Sequence, residues 1–169
     1  MKIEIEIIPP REFVKKVKLP RIPTRPKEHY NFESLDKDLI ESIKSFGLLQ
    51  PVITDRNYVI IDGVKRYVIV KKLIESNLDI PGNVIIIKFL DEDFNEKPIS
   101  ILHLAYIINR FRSGGRDEDF SEELMTYMMD ITFKVWEVFD KDYEKTSRHL
   151  GFSLDRVKNF INEYVKVLS

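Results

Sequence analysis

The chain has 169 residues and a mass of 20.0 kDa; it is 43% hydrophobic and 33% charged, with 27 basic and 28 acidic side chains and a formal net charge of −1. That length supports one medium domain or two small ones, and the balanced charge means any contact with nucleic acid must use a local patch. Cysteine is absent, which excludes disulfides, thiolate zinc sites and cysteine nucleophiles.

The opening "MKIEIEIIPP" alternates polar and apolar residues from Lys2 to Ile8 and stops at Pro9-Pro10, which predicts a strand. It lacks the apolar block of a signal peptide, and no segment has the unbroken apolar length of a membrane span, so a cytoplasmic protein is expected. Phe13 to Leu19 reads as a second, more basic extended stretch, and the prolines of "PRIPTRP" exclude a helix at 20–26. Asp36 to Phe46 predicts an amphipathic helix, with Asp36 as N-cap, Leu39, Ile43 and Phe46 on one face, and Gly47 ending it. "PVITDRNYVIID" reads as two short strands with a turn at Asp55 to Asn57, and Val64 to Ser76 as a helix. Asn83 to Phe89 is almost wholly apolar, the pattern of a strand buried on both faces. The acidic Asp91, Glu92 and Asp93 that follow read as a solvated loop.

From about Pro98 the β-branched strands give way to helical segments at Ile99 to Phe111, Ser121 to Phe139, Asp140 to Leu150 and Leu154 to Leu168, with "RSGGRDED" as a linker at 112–119. Two units are expected: an α/β unit at 1–97 and a helical unit at 98–169. Met125, Met128, Met129, Phe133 and Trp136 are expected core residues, and His29, His103 and His149 lack metal-ligand spacing. The Ile-, Lys- and Glu-rich composition would suit a thermophile.

Two stretches invite a chemical reading. In "DYEKTSRHLGFSLDRVKNFINEYVKVL" a helix ends at Leu150-Gly151, and Ser153 stands as N-cap of the next. Val157, Ile161 and Tyr164 or Val165 would face inward, leaving Leu154, Asp155, Arg156, Lys158 and Asn159 outward. A helix-turn-helix offering its second helix to DNA fits, with Lys145, Arg148 and His149 adding positive charge; an ordinary hairpin with a solvated face fits equally. The second stretch is "VIIDGVKRYVIVKKL", where Gly63, Lys65 and Arg66 stand at a strand-to-helix junction. A glycine there lets the backbone approach a ligand, the helix N-terminus favours negative charge, and Arg66 is a forked donor suited to phosphate. A tight turn whose charges face water is the alternative, and the Walker pattern is absent.

"LPRIPTRP", "LDKDLIESIKSFGLLQPVI", "YVIIDGVKRYVIVKKL" and "INRFR" occur in the order expected of ParB-like proteins of the ParB/sulfiredoxin superfamily, which the chain resembles from about residue 17 onward. "TSRHLGFSLDRVKNFI" falls where the central DNA-binding domain of that family lies. The resemblance implies an α+β fold: a ParB-like domain at 1–97, then a helix-turn-helix domain at 98–169, without the family's C-terminal dimerisation domain. It implies an anion or nucleotide site at Arg25, Gly63, Lys65, Arg66, Asn109 and Arg112, and DNA contacts from Lys145, Arg148, Ser153, Asp155, Arg156, Lys158 and Asn159. The family's phosphate motif is Gly-Glu-Arg-Arg where this chain has Gly63-Val64-Lys65-Arg66, and its Glu-Asn-x-x-Arg motif becomes Ile108-Asn109-Arg110-Phe111-Arg112.

Both acidic positions are therefore apolar, and neither Val64 nor Ile108 can ligate magnesium. The expectation is phosphate binding with CTP held weakly or not at all, no metal and no catalytic residue. The partners implied are double-stranded DNA and a partition ATPase, for a nucleoid-associated monomer or weak dimer that assembles on DNA and serves replicon partition or transcriptional regulation. The rival expectation is an enzyme, a nucleotide-dependent phosphotransferase, CTPase or nuclease using the Gly63 pocket, with Asp62 as its spare carboxylate. Val64 in place of a cysteine excludes sulfiredoxin chemistry.

Overall fold

A computed structural model of the chain describes residues 2–21, 23–96, 101, 104–105, 107–108 and 122–169, in two compact units, Met1–Ser121 and Glu122–Ser169. The first unit is α+β and the second helical. In the first, strand β1 (Ile3–Ile8) leads into helix α1 (Pro10–Lys16), then two 3₁₀ turns (Lys27–Tyr30 and Phe32–Ser34) and α2 (Lys37–Phe46). Strands β2 (Val52–Asp55) and β3 (Ile60–Asp62), helix α3 (Val64–Glu75) and strand β4 (Val84–Phe89) follow.

The strands form one mixed sheet in the order β1-β4-β2-β3. β1 is antiparallel to β4, with Ile3 opposite Phe89 and Ile8 opposite Val84; β4 is parallel to β2; and β2 is antiparallel to β3. One face of the sheet forms the main core. There Val52, Ile60 and Ile86 meet Phe13 of α1, Ile40 and Ile43 of α2, and Val64, Tyr67, Val70 and Leu73 of α3. On the opposite face Ile61 is buried with Ile101 and Ala105, and Ile53, Phe89, Leu104 and Ile108 pack around them.

Several expectations change. Residues 10–16 are helical, where an extended stretch is expected from Phe13. Pro10 stands in the first turn, where its missing N–H costs nothing; Lys16 pairs with Glu12 at 3.0 Å one turn back; and Phe13 is fully buried. Extended backbone begins at Val17, and Lys18 bridges to Val59. In α2 the inward face runs through Ile40 and Ile43, while Phe46 is 67% exposed. β4 is not buried on both faces: Val84 and Ile86 are enclosed, but Ile85 is 40% exposed. Asp93 is buried rather than solvated, because Arg56 donates to it at 2.8 and 3.1 Å. Asp55 is buried too, accepting the backbone N–H groups of Asn57, Val59 and Phe94, which closes the β2–β3 turn.

β1 sets Glu4, which is exposed, and Glu6, which is half-buried, toward Lys88. Lys88 of β4 is 8% exposed and pairs with Glu4 at 3.3 Å and Glu6 at 3.9 Å. The Tyr58 hydroxyl donates to Glu6 at 2.8 Å, and the Lys88 ammonium lies 4.4 Å from the centre of the Tyr58 ring. Burial disfavours the Lys88 charge, but the hydrogen bonds to Tyr58 and Glu4 and the nearby Glu6 outweigh it and raise the amine above its ordinary value.

The second unit contains α4 (Glu122–Val138), α5 (Tyr143–Leu150) and α6 (Leu154–Leu168). α5 begins at Tyr143 rather than Asp140, because Asp142 caps it by accepting the Lys145 N–H, and Asp140 and Lys141 have positive φ. Met128, Leu150, Phe152, Val157, Phe160 and Ile161 are buried. The expected helix at 99–111 lies largely outside the described residues, and the linker at 112–119 wholly so.

Candidate anion and nucleic-acid sites

The junction after β3 is built on Gly63. Its φ of +115° is one that side-chain-bearing residues rarely adopt, and an added Cβ would stand 3.1 Å from both methyl groups of Val52. Gly63, as N-cap, makes no side-chain hydrogen bond to the first turn of α3. Lys65 is half-buried in that first turn.

Arg66 is largely turned inward. It is 9% exposed; its Nη1 donates to the backbone carbonyls of Gln50 at 2.9 Å and Pro51 at 2.5 Å, and its Nη2 to Asp62 Oδ2 at 3.1 Å. The second Asp62 oxygen accepts from Arg25 Nη2 at 3.3 Å. Two guanidinium groups thus share one carboxylate that is 1% exposed, close to the N-terminus of α3. The structure therefore brings Arg25, Gly63 and Arg66 together through Asp62, with Lys65 beside them in the chain. Asn109 and Arg112 lie outside the described residues.

Asp62, expected only as a spare carboxylate of this pocket, is the partner of both arginines, and its spacing of four from Arg66 is a visible helical-pair signal. Thr24, beside Arg25, is fully buried, and its hydroxyl has no hydrogen-bond partner among the described residues. Nothing in the sequence marks it. Among the described residues no group of three or more His, Asp or Glu side chains is placed to hold a metal ion.

In the helical unit, Gly151 closes α5 in the left-handed conformation, and Ser153 caps α6 by accepting the Arg156 N–H at 3.1 Å. The Ser147 hydroxyl donates to the Phe152 carbonyl at 2.5 Å and ties the turn to α5. Lys145, Arg148, Ser153, Asp155, Lys158 and Asn159 are exposed. Leu154 and Arg156 are half-buried, with the Arg156 guanidinium 5.5 Å from the Phe160 ring centre. Phe160 joins Val157 and Ile161 on the inner face, while Val165 is 46% exposed.

These features define an α+β domain on a mixed four-stranded sheet, with a cation-rich strand-to-helix junction and a helical unit following in the chain. The ParB N-terminal domain family model matches residues 8–97, more than half of the chain, and the chain belongs to that family. Among solved structures, a Pnob8-like ParB-N domain is 22% identical with a TM-score of 0.47, over 86% of this chain and 52% of that one. A second, described as a pNOB8-like ParB N-domain, is 20% identical with a TM-score of 0.45, over 87% of this chain and 47% of that one. The chain thus spans about half the length of each. No curated protein matches it.

Proposed function

We propose that the chain is a ParB-like DNA-binding protein that holds duplex DNA site-specifically through α5, the turn and α6, in replicon partition or transcriptional regulation. The carrying observation is the division of α6: Val157, Phe160 and Ile161 are buried, while Lys158 and Asn159 are exposed near its N-terminus. A helix so divided can lie in the major groove while the preceding helix crosses the backbone, where Lys145 and Arg148 would meet phosphates. Fluorescence anisotropy on fragments recovered by a genome-wide pull-down tests this. Alanine at Arg156, Lys158 and Asn159 together should abolish specific binding; unchanged affinity would overturn the assignment.

For the first unit the reading is an anion site at the Gly63 turn, with Lys65 outermost and the pair of arginines behind it. Its support is the convergence of Arg25 and Arg66 on Asp62 beside Gly63 at the start of α3, with Lys65 in the first turn. The same pairing occupies both Asp62 oxygens with arginine donors, and binding without turnover is expected. Calorimetry with CTP, with and without magnesium, and a phosphate-release assay test it. Tight magnesium-dependent binding with steady hydrolysis would favour the enzyme reading instead.

A further inference from the structure

Charge is spread unevenly along this chain. Residues 11–27 hold seven basic side chains and one acidic, against 20 basic and 27 acidic in the remainder. A local excess of one sign in a balanced chain points to an electrostatic contact rather than to a requirement of the fold. Three of the seven cations are already engaged: Arg11 pairs with Asp79 at 3.6 Å, Lys16 with Glu12 at 3.0 Å, and Arg25 with Asp62 at 3.3 Å. Lys15, Lys18, Arg21 and Lys27 are exposed and have no ion pair among the described residues. Their backbone is anchored, because Phe13, Val17, Pro20 and Thr24 are buried between them. Lys18 also joins the sheet beside β3, its last strand, donating its N–H to the Tyr58 carbonyl and accepting that of Ile60, each at 2.9 Å. The four cations therefore stand on a ribbon fixed to the first unit.

We propose that this ribbon is a second contact surface for duplex DNA, one that holds phosphates without reading bases. It rests on the DNA-binding reading above only for its target; the charge and its anchoring are independent of α6. A lysine beside an edge strand also keeps other strands from pairing there, which accounts for Lys18 but not for Lys15, Arg21 and Lys27. Lys18 and Arg21 are three residues apart, up to about 10 Å along extended chain, and phosphates of one DNA strand recur about every 3.4 Å along the helix axis, so the two can meet the same strand. Among the described residues of the segment, Leu19 is the one large apolar side chain open to solvent, at 37% exposure. That is too little to seat the segment in a lipid surface, and it lacks the aromatic or aliphatic anchors on which protein interfaces centre. Phosphate needs no such anchor, and lysine meets it as a point charge.

Anisotropy of the full chain on a labelled duplex of arbitrary sequence, from about 50 to about 200 mM salt, tests this. Lys15→Gln, Lys18→Gln and Arg21→Gln together should weaken binding at least about tenfold at the low end and flatten the plot of log affinity against log salt by about 2.7, at about 0.9 for each phosphate no longer neutralised. Lys15→Arg, Lys18→Arg and Arg21→Lys together keep the charges and should keep the slope. Lys37→Gln, Lys44→Gln and Lys72→Gln remove three exposed charges elsewhere on the first unit and should change the slope by less than about 1. With Arg156, Lys158 and Asn159 replaced by alanine, binding to arbitrary sequence should persist at low salt and fall further when the Lys15, Lys18 and Arg21 substitutions are added. Should α6 prove irrelevant to DNA, those three substitutions still report on the ribbon. On the native chain, duplex should shield Lys15, Lys18 and Lys27 from an amine-acetylating reagent, read by peptide mass without any variant. An unchanged slope in the Lys15, Lys18 and Arg21 variant, an equal loss in the Lys37, Lys44 and Lys72 variant, unshielded lysines, or an effect seen on phosphatidylserine vesicles and not on duplex would each overturn the proposal.

Discussion

Asp62 shows how one side chain can organise a junction. It is 1% exposed and holds both Arg25 and Arg66, while Arg66 also gathers the carbonyls of Gln50 and Pro51. Asp62→Ala leaves two largely buried cations without their carboxylate, and urea unfolding should show a loss of about 3–5 kcal/mol. Gly63→Ala combines a φ of +115° with crowding against Val52, and a loss of about 1–3 kcal/mol is expected from the same measurement. Gly47→Ala should be worse than Gly63→Ala, because its Cβ would fall on the Pro81 carbonyl oxygen, which is backbone and cannot swing aside. Gly63 was legible from its place between strand and helix. The inward turn of Arg66 was not, because its partners Gln50 and Pro51 are brought in by the fold from 16 and 15 residues away.

The elements divide by how local their causes are. α6 was legible to the residue because Ser153 caps it and its apolar period is regular. Ser153→Ala should cost about 1 kcal/mol in thermal unfolding and should weaken DNA binding with it. α1 was misread because "FVKKVKL" satisfies a period of two as well as a helical one; the buried Phe13 and the Glu12–Lys16 pair decide it. α4 and α6 are joined by Asp130, which accepts from the Tyr164 hydroxyl and from Lys134, each at 2.7 Å. Burial pushes the Asp130 carboxyl up, but these two hydrogen bonds outweigh it and hold the group below its ordinary value. A carboxyl so depressed in the folded state stabilises above its unfolded value, and that contribution disappears as pH falls through the folded one. Asp130→Asn should therefore unfold at lower temperature than the native chain at neutral pH, with the gap closing as acid is added.

For the molecule as a whole, a formal net charge of −1 sets the character of any DNA complex. With no surplus of cations to draw in duplex from a distance, affinity must come from a few close contacts. Replacing Lys145, Arg148 or Lys158 with alanine should flatten the plot of log affinity against log salt by about 0.9 for each phosphate that is no longer neutralised. A residue that reads a base instead should change sequence preference with little effect on that slope. That strands and helices are followed by several helices was legible because strand-like runs stop and helical periods begin. The exposure of Ile3, Ile5 and Ile7 on β1 was not, because alternation reveals that a strand has two unlike faces without revealing which one meets the core.

The pairing of β1 with β4 also sets an order of events during synthesis. Ile8 is made 76 residues before its partner Val84. At about 5–20 residues per second, β1 waits on the order of 4–15 s before its hydrogen-bonding neighbour exists. During that interval the backbone N–H and C=O groups of β1 that β4 will pair are open to any other nascent strand. β2 and β3 can pair with each other first, but β1 joins them only through β4, so a translational pause placed before residue 84 should lower the yield of soluble protein.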